Sequence, residues 1–216
     1  MIKADEIYKR LYDAYGQPRW WSDDAYVVLF QSILVQNTSW SSVENVTVSL
    51  GGTLSPQAVL RLKPEQLEAL IRPCGFCLRK ADTIRRVTQW YGTYDFDAWK
   101  VIARGQTELR KELLAIKGIG PETADVMLVY AFHKPSLVID AYTRRFLERL
   151  GFPFGDDEEI RVFFEKDLER DYQLYGWFHW LILTHGIRHC GKTPSCGGCV
   201  FADICSSFHN RQKREQ

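Results

Sequence analysis

The sequence lacks both a long apolar run and a strong net charge. Of its 216 residues 45% are hydrophobic, but no stretch of about 18 consecutive apolar residues occurs, so we expect no transmembrane helix. The 28 Lys and Arg residues nearly balance 27 Asp and Glu residues, giving a formal net charge of +1. Overall charge therefore does not by itself indicate a nucleic-acid partner. The first residues are charged and lack the apolar segment of a secretory signal, so we expect an intracellular protein.

Patterns typical of β-strands are also scarce. The longest β-favouring run, Leu137-Val138-Ile139, is too short to build a sheet. Elsewhere apolar residues recur at helical spacing between Gly and Pro residues, which break helices. The sequence predicts an all-α fold of about ten helices, one of them over residues 157–175, with a disordered tail over residues 210–216.

Charged residues are sorted along the chain. A basic cluster, interrupted only by Asp82, consists of Arg72, Arg79, Lys80, Arg85 and Arg86. The acidic stretch over residues 156–159 is expected to face away from any polyanion. The basic residues could form a footprint for nucleic acid, and two solvated faces of opposite sign are the alternative.

Four of the six cysteines lie close together near the C-terminus, in the pattern C-x5-C-x2-C-x5-C: Cys190, Cys196, Cys199 and Cys205. Disulfides are unusual in a reducing compartment, so a dense cysteine group there indicates a metal site. Four thiolates can ligate a [4Fe–4S] cluster or a zinc ion. Because zinc sites usually contain two C-x2-C pairs and this loop has one, the pattern favours iron–sulfur. We interpret the remaining pair, Cys74 and Cys77, as partly buried small side chains.

A glycine-rich corner lies at residues 116–125. Gly118 and Gly120 flank one apolar residue just before a predicted helix that begins near Pro121. Glycine can adopt positive φ and leaves its N–H group accessible, and successive N–H groups at a helix N-terminus bind phosphate oxygens. The corner is predicted to hold one DNA phosphate without reading the base sequence. A plain corner between two helices is the alternative.

One carboxylate follows the short apolar run. Asp140 stands at the end of Leu137-Val138-Ile139 and immediately before a predicted helix. An aspartate in this position is often only an N-cap. If it faces a cleft instead, its carboxylate could orient water or stabilise a cationic sugar.

The corner, the aspartate and the cysteine loop occur in an order that points to one known family. The three motifs are Ile116–Gly120, Val138–Arg145 and the segment His179–Gly186 leading into Cys190. They resemble, respectively, the helix-hairpin-helix, the catalytic-aspartate segment and the segment preceding the cluster in the endonuclease III superfamily of DNA glycosylases. The resemblance runs from about residue 25 to residue 205.

The resemblance implies two helical lobes flanking a DNA-binding cleft. One lobe, residues 25–132, would carry the helix-hairpin-helix; the other, residues 1–24 and 133–216, would carry the [4Fe–4S] loop at 190–205. It also implies that the damaged base is flipped out of the stack, that Asp140 is catalytic, and that Gln36 fills the gap left by the flipped nucleotide. The implied DNA-binding residues are Gln36, Asn37, Gly118, Ile119, Gly120, Glu122 and Thr123. The carbonyl groups of Leu114, Ile116 and Ile119 are candidate ligands for a monovalent cation that bridges to the phosphate.

Two positions depart from the family pattern. Bifunctional members have a lysine two residues after the second hairpin glycine, where this chain has Glu122. A carboxylate cannot form a Schiff base with the sugar, whereas a lysine amine can. We therefore expect a monofunctional glycosylase that hydrolyses the N-glycosidic bond and lacks AP-lyase activity. The first cysteine gap is five residues, where the family usually has six.

The aromatic residues suggest a substrate. The base-pocket candidates are Trp20, Trp21, Trp40 and Glu122, and the pairing of the two adjacent tryptophans with Gln36-Asn37-Thr38 resembles the 3-methyladenine DNA glycosylase III branch. A positively charged alkylated purine is attracted to electron-rich ring faces. Packing of these tryptophans in the core is the alternative.

These implications together predict a cytoplasmic, monomeric base excision repair enzyme, associated with the nucleoid if bacterial. Its partner would be double-stranded DNA containing a damaged base, with no membrane partner. One alternative is a glycosylase for an oxidised pyrimidine, uracil or a mismatched base. Another is a non-catalytic DNA-damage-binding or redox-sensing protein that kept the hairpin and the cluster.

Overall fold

The computed structural model describes residues 2–50 and 54–215, and over these residues it contains helices and no strand. The all-α prediction is confirmed. The α-helices of this part of the chain are, in order, α1 (Ala4–Tyr15), α2 (Ala25–Leu34), α3 (Trp40–Leu50), α4 (Pro56–Arg61), α5 (Pro64–Ile71), α6 (Cys77–Gly92), α7 (Ala98–Ile102), α8 (Gln106–Ala115), α9 (Pro121–Val126), α10 (Ala141–Leu150), α11 (Asp157–Asp167), α12 (Tyr172–Arg188) and α13 (Ser206–Glu215). A 3-10 turn covers Arg72–Cys74, and a π-helical segment covers Met127–Ala131. None of the described helices is long and apolar enough to cross a membrane.

Two helix predictions near the C-terminus were wrong. The segment 157–175 forms two helices, because the Asp171 side chain accepts a hydrogen bond from the Leu174 N–H at 2.7 Å and so caps the start of α12. Of the tail expected to be disordered, residues 210–215 belong to α13, and residue 216 lies outside the described residues. An N-cap inside an otherwise helical pattern is a local signal that the overall periodicity hides.

The chain divides into two compact units. One consists of Trp21–Ser136, and the other combines Met1–Trp20 with Leu137–Gln216. The predicted functional lobes with borders at residues 25 and 132 stay a prediction.

The unit formed by Trp21–Ser136 is organised around α2. The Asp24 side chain accepts hydrogen bonds from the Tyr26 and Val27 N–H groups and caps the start of α2, which is buried along almost its whole length. Helix α2 packs against α6 and against the π-helical segment, whose five residues are all buried. Because π-helical turns are rare and often accompany functional sites, this segment is a candidate part of such a site.

The other unit is organised around α12. Helices α1 and α10 pack against α12, and α1 also packs against α11. Buried aromatic rings fill the space between them, including an edge-to-face pair formed by Phe164 and Phe178 at 4.9 Å between ring centroids. This core fixes the start of α10, where Asp140 lies, and the end of α12, where the cysteine loop begins.

Candidate functional site

The hairpin between α8 and α9 is closed by its own backbone. The Ile119 N–H donates to the Ile116 carbonyl at 3.0 Å, and Pro121 occupies the first turn of α9. Gly118 has φ +96°, and a Cβ there would collide with the Thr83 side chain. Gly120 has φ −95° and open space around a Cβ. Only Gly118 therefore needs to be glycine for conformational reasons, and the Ile119 N–H is already used within the turn.

The Gln36 side chain contacts this hairpin. Its Nε2 atom donates to the Gly118 carbonyl at 3.2 Å and to Thr123 Oγ1 at 3.0 Å. Gln36 lies in the loop after α2, beside the exposed Asn37, whose φ is +52°. Three of the predicted DNA-binding residues are thus brought together by hydrogen bonds.

The remaining predicted DNA-binding residues differ in exposure. Gly120 and Glu122 are exposed, whereas the Ile119 side chain is buried. Because the Ile119 N–H is paired within the turn, the carbonyl oxygen is the backbone group of this residue that could contact a ligand. The predicted role of Ile119 in DNA binding stays a prediction.

A second exposed loop was missed by the sequence analysis. Phe76 and Leu78 are 63% and 68% exposed, and they stand at the start of α6 just after Gly75. The backbone of Phe76 is left-handed, with φ +47°. Left-handed backbone at a bulky residue is costly and is a reason to suspect a function. The sequence signal would have been an apolar residue directly after a glycine and before a helix.

The predicted pocket tryptophans separate into two groups. Trp21 packs edge-on against Trp40 and against Tyr130, with both pairs of ring centroids 5.2 Å apart. Trp20 belongs to the other unit, where it packs edge-on against Tyr172 at 5.8 Å. The aromatic group Trp21–Trp40–Tyr130 therefore contains two of the predicted pocket tryptophans and one residue that sequence reasoning missed.

A hydrogen-bond chain orients the Trp21 ring. Its indole Nε1 donates to Gln31 Oε1 at 2.6 Å, and Gln31 Nε2 donates to Thr47 Oγ1 at 3.1 Å. Tyr130 was missed because it lies in the π-helical segment, which helical periodicity does not distinguish from an ordinary α-helix. A π-turn changes which side chains face a neighbouring helix.

Asp140 caps helix α10 with one of its carboxylate oxygens. Oδ1 accepts hydrogen bonds from the Thr143 N–H at 2.7 Å and from Thr143 Oγ1 at 2.8 Å. Oδ2 is not used by the cap and lies 3.8 Å from His179 Nε2. Asp140 is only 6% exposed, and His179 is buried as well. The N-cap alternative is thus correct for Oδ1, while Oδ2 remains outside the cap.

The surroundings of Asp140 favour its ionised form. Burial by itself raises the pKa of Asp140, but His179 and the two donors on Thr143 outweigh it, so the pKa lies below its usual range. The 3.8 Å separation from His179 is longer than a hydrogen bond, so we regard this contact as electrostatic. A carboxylate that stays charged while shielded from water can stabilise a nearby positive charge strongly.

The four C-terminal cysteines form one loop without disulfides. Cys190 Sγ accepts from Arg149 Nη1 at 3.3 Å, and Cys196 Sγ accepts from Arg211 Nη2 at 2.7 Å. Burial raises the pKa of the Cys199 thiol, and the other three cysteines raise it further, which places all four in one neighbourhood. Within residues 2–50 and 54–215, however, no three His, Cys, Asp or Glu side chains are arranged to hold a single metal ion.

The basic cluster does not form a uniform charged face. Arg72 and Arg79 are exposed, but Lys80 is buried, and Arg86 pairs with Asp82 at 2.9 Å. Arg85 Nη1 donates to the Leu62 carbonyl at 2.8 Å. The footprint prediction is therefore wrong for Lys80, whose ammonium group points into the protein.

Residues 30–170 match the model of the "HhH-GPD superfamily base excision DNA repair protein" family. The chain belongs to this superfamily. A Methanocaldococcus jannaschii protein named "Putative DNA repair glycosylase MJ1434" is 37% identical over 210 residues, covering 94% of this chain and 95% of its own. Endonuclease III of Thermotoga maritima is 29% identical over 199 residues, covering 89% of this chain and 87% of its own.

Solved structures agree with this assignment. The H. pylori 3-methyladenine DNA glycosylase MagIII, bound to 1,N6-ethenoadenine, superposes with a TM-score of 0.76 at 26% identity, covering 87% of this chain and 98% of its own. A non-covalent endonuclease III–DNA complex superposes with a TM-score of 0.81 at 22% identity, covering 99% of this chain and all of its own. This second likeness concerns the fold alone. The predicted family resemblance is confirmed.

Proposed function

We propose that this protein is a monofunctional DNA glycosylase that removes an alkylated purine, such as 3-methyladenine, from duplex DNA. The observation that carries the proposal is the carboxylate of Asp140, buried and held ionised, with Oδ1 fixed by Thr143 and Oδ2 outside the cap. A capping aspartate needs only one oxygen, so the second is available for chemistry.

Hydrolysis of an N-glycosidic bond passes through a sugar with oxocarbenium character. In our proposal Asp140 stabilises this cation through its charge and helps to place the attacking water. The donors on Thr143 hold the carboxylate in one orientation, so little reorganisation is needed as the positive charge develops. The products are a free base and an abasic site.

The hairpin and its neighbouring loop would hold the DNA. Backbone N–H groups at the start of α9 would bind a phosphate, and Gln36 would leave Gly118 and Thr123 to occupy the space of the flipped nucleotide. Phe76, an exposed apolar side chain, has the character of a wedge between base steps. A monovalent cation held by the carbonyls of Leu114, Ile116 and Ile119 stays a prediction.

The alkylated-purine assignment is supported by the aromatic group Trp21–Trp40–Tyr130. Electron-rich rings attract a cationic base more strongly than a neutral one. The relative solved in complex with 1,N6-ethenoadenine is named a 3-methyladenine DNA glycosylase. Trp20 packs on Tyr172 rather than within the aromatic group, so its place in the base pocket stays a prediction.

The absence of lyase activity follows from Glu122. We expect no covalent complex when the protein is treated with borohydride in the presence of damaged DNA, because a carboxylate cannot form the Schiff base that borohydride traps. A trapped complex would contradict this expectation, and it would show that another amine reaches the sugar.

We also propose a [4Fe–4S] cluster on Cys190, Cys196, Cys199 and Cys205. The donor set fits: the four thiols form no disulfide and lie in one loop, and guanidinium groups donate hydrogen bonds to the sulfurs of Cys190 and Cys196. In a four-iron cluster the thiolates bind different irons, so the sulfurs need not converge on one ion. When bound, such a cluster would tie the loop together through four metal–thiolate bonds.

A lesion-panel assay tests the function. Duplexes containing 3-methyladenine, an oxidised pyrimidine, uracil or a mismatch are incubated with the wild type and with Asp140→Asn, and free base is quantified. We expect release of the alkylated purine by the wild type and a loss of about 10²-fold or more in Asp140→Asn. Release from a different lesion would assign another glycosylase substrate. DNA binding without release from any lesion would indicate a non-catalytic protein.

A further inference from the structure

A lysine ammonium group is buried next to the Gln36 loop. Lys80, on α6, is 3% exposed, and its Nζ atom donates to the Leu34 carbonyl, to Thr38 Oγ1 and to the Cys74 carbonyl, each at 2.7 Å. These three acceptors are neutral oxygens, and all lie in the unit Trp21–Ser136. A buried ammonium group with three short bonds is expensive to assemble and strongly directional.

The three acceptors belong to two segments, the end of α2 with the loop that follows it and the turn before α6. Leu34 ends α2, Cys74 ends the 3-10 turn, and Thr38 lies in the loop between α2 and α3. Carbonyl groups at a helix C-terminus carry partial negative charge, which favours a cation. Thr38 Oγ1 also lies 2.5 Å from the Cys74 carbonyl oxygen, so the loop after α2 and the turn before α6 are joined both directly and through Lys80.

These two segments carry two side chains that the proposed function assigns to DNA, the half-buried Gln36 and the exposed Phe76. Gln36 precedes Thr38 by two residues, and Phe76 follows Cys74 by two residues. Each segment contains a non-glycine residue with left-handed backbone, Asn37 in one and Phe76 in the other. Such conformations persist only where the surroundings enforce them, and the bonds of Lys80 lie beside both.

We infer that Lys80 is a positioning residue for base flipping, which holds the Gln36 loop and the Phe76 loop at one fixed spacing so that both side chains enter the DNA stack together. This inference rests on the proposed function. Lys80 itself does not reach the DNA, since its ammonium group is enclosed by protein. Because Lys80 holds both loops in place beforehand, they do not have to be ordered at the moment when a base pair must be opened.

This role makes a specific demand on the substrate. Opening a normal base pair costs more than extruding a base that is already unpaired. The loss of preorganised loops should therefore slow excision when the damaged base is paired. It should matter little when the opposite strand carries no base at that position, which we call an abasic gap. A lysine that supports only the general stability of the unit would affect both substrates alike.

The test compares Lys80→Met, Lys80→Arg and the wild type in single-turnover excision of the same alkylated purine opposite thymine or opposite an abasic gap. We expect Lys80→Met to lose about tenfold or more on the paired substrate and to stay within about twofold on the gapped one. Lys80→Arg, which keeps the charge, should recover part of the loss. Lys111→Met, which removes an exposed lysine from α8, should match the wild type on both.

Base flipping is measured separately from catalysis. In an Asp140→Asn background, the fluorescence of 2-aminopurine placed beside the lesion should rise on binding, and the additional Lys80→Met change should abolish most of that rise. Equal losses on the paired and gapped substrates, or an unchanged fluorescence rise, would overturn the role of Lys80. If the wild type releases no base but Lys80→Met still abolishes the rise, the proposed reaction fails while the role in flipping stands.

Discussion

The two carboxylate oxygens of Asp140 have different surroundings. The donors on Thr143 engage Oδ1 and begin α10, as at many helix starts. His179, from α12, lies beside Oδ2. Burial alone would drive this group toward its neutral form, and a neutral acid would not stabilise a cationic sugar. His179 is therefore relevant to the proposed chemistry as one of the neighbours that lower the pKa of Asp140.

The pH dependence of excision tests this arrangement. Because the pKa of Asp140 is lowered in the folded protein, the carboxylate stabilises the fold above its unfolded pKa near ~3.9, and this contribution is lost as pH falls through the lower folded pKa. We expect kcat/KM to stay on its plateau down to the acidic end of the range that the fold tolerates. In His179→Leu the pKa of Asp140 should rise, and the acid limb should move to higher pH.

The matched control is His209→Leu, which removes an exposed histidine from α13. Its acid limb should coincide with that of the wild type. An acid limb that does not move in His179→Leu would contradict the assignment of His179 as the partner that keeps Asp140 ionised.

At the scale of single elements, the hairpin depends on one of its two glycines. Gly118 combines positive φ with a Cβ position already filled by Thr83, whereas Gly120 has negative φ and open space. The two glycines look equivalent in the sequence. Their difference arises from α6, which brings Thr83 against the turn.

Alanine at each glycine separates these roles. We expect Gly118→Ala to lower the free energy of unfolding by about 1–3 kcal/mol, because it adds left-handed strain and a steric collision. Gly120→Ala should stay within about 0.5 kcal/mol of the wild type. Urea denaturation of both variants measures the difference, and equal destabilisation would contradict this account of the turn.

At the scale of the whole molecule, the cysteine loop is joined to α10 through Arg149. The Arg149 guanidinium donates to Cys190 Sγ and to the Gly191 and Lys192 carbonyls, while the Cys205 thiol donates to the Arg149 carbonyl. Loss of the proposed [4Fe–4S] cluster should therefore disturb α10, the helix that Asp140 caps.

Metal analysis tests the cluster. Protein purified without oxygen should contain four irons and absorb near ~400 nm, and Cys199→Ser should lose both iron and thermal stability. Cys77→Ser, outside the loop, should keep both. A colourless protein containing one zinc per chain would favour the zinc alternative. A protein that holds neither metal would contradict both the cluster and the zinc assignment.

The sequence by itself determined the class of fold and the order of the motifs. Helical periodicity, the scarcity of strand patterns and the glycine corner are local properties, because they arise from backbone geometry within a few residues. The resemblance carried by the corner, the Asp140 segment and the cysteine loop was confirmed at the level of the family. Those motifs depend on short, ordered spacing, which a single sequence displays directly.

Only the tertiary structure decided which side chains meet. Lys80 reads as part of a basic surface, yet its bonds to Leu34, Thr38 and Cys74 lie inside the protein. Tyr130 joins the aromatic group through a π-helical turn that periodicity does not predict. Contacts between segments tens of residues apart depend on how helices pack, and that packing is a property of the assembled core rather than of any local pattern.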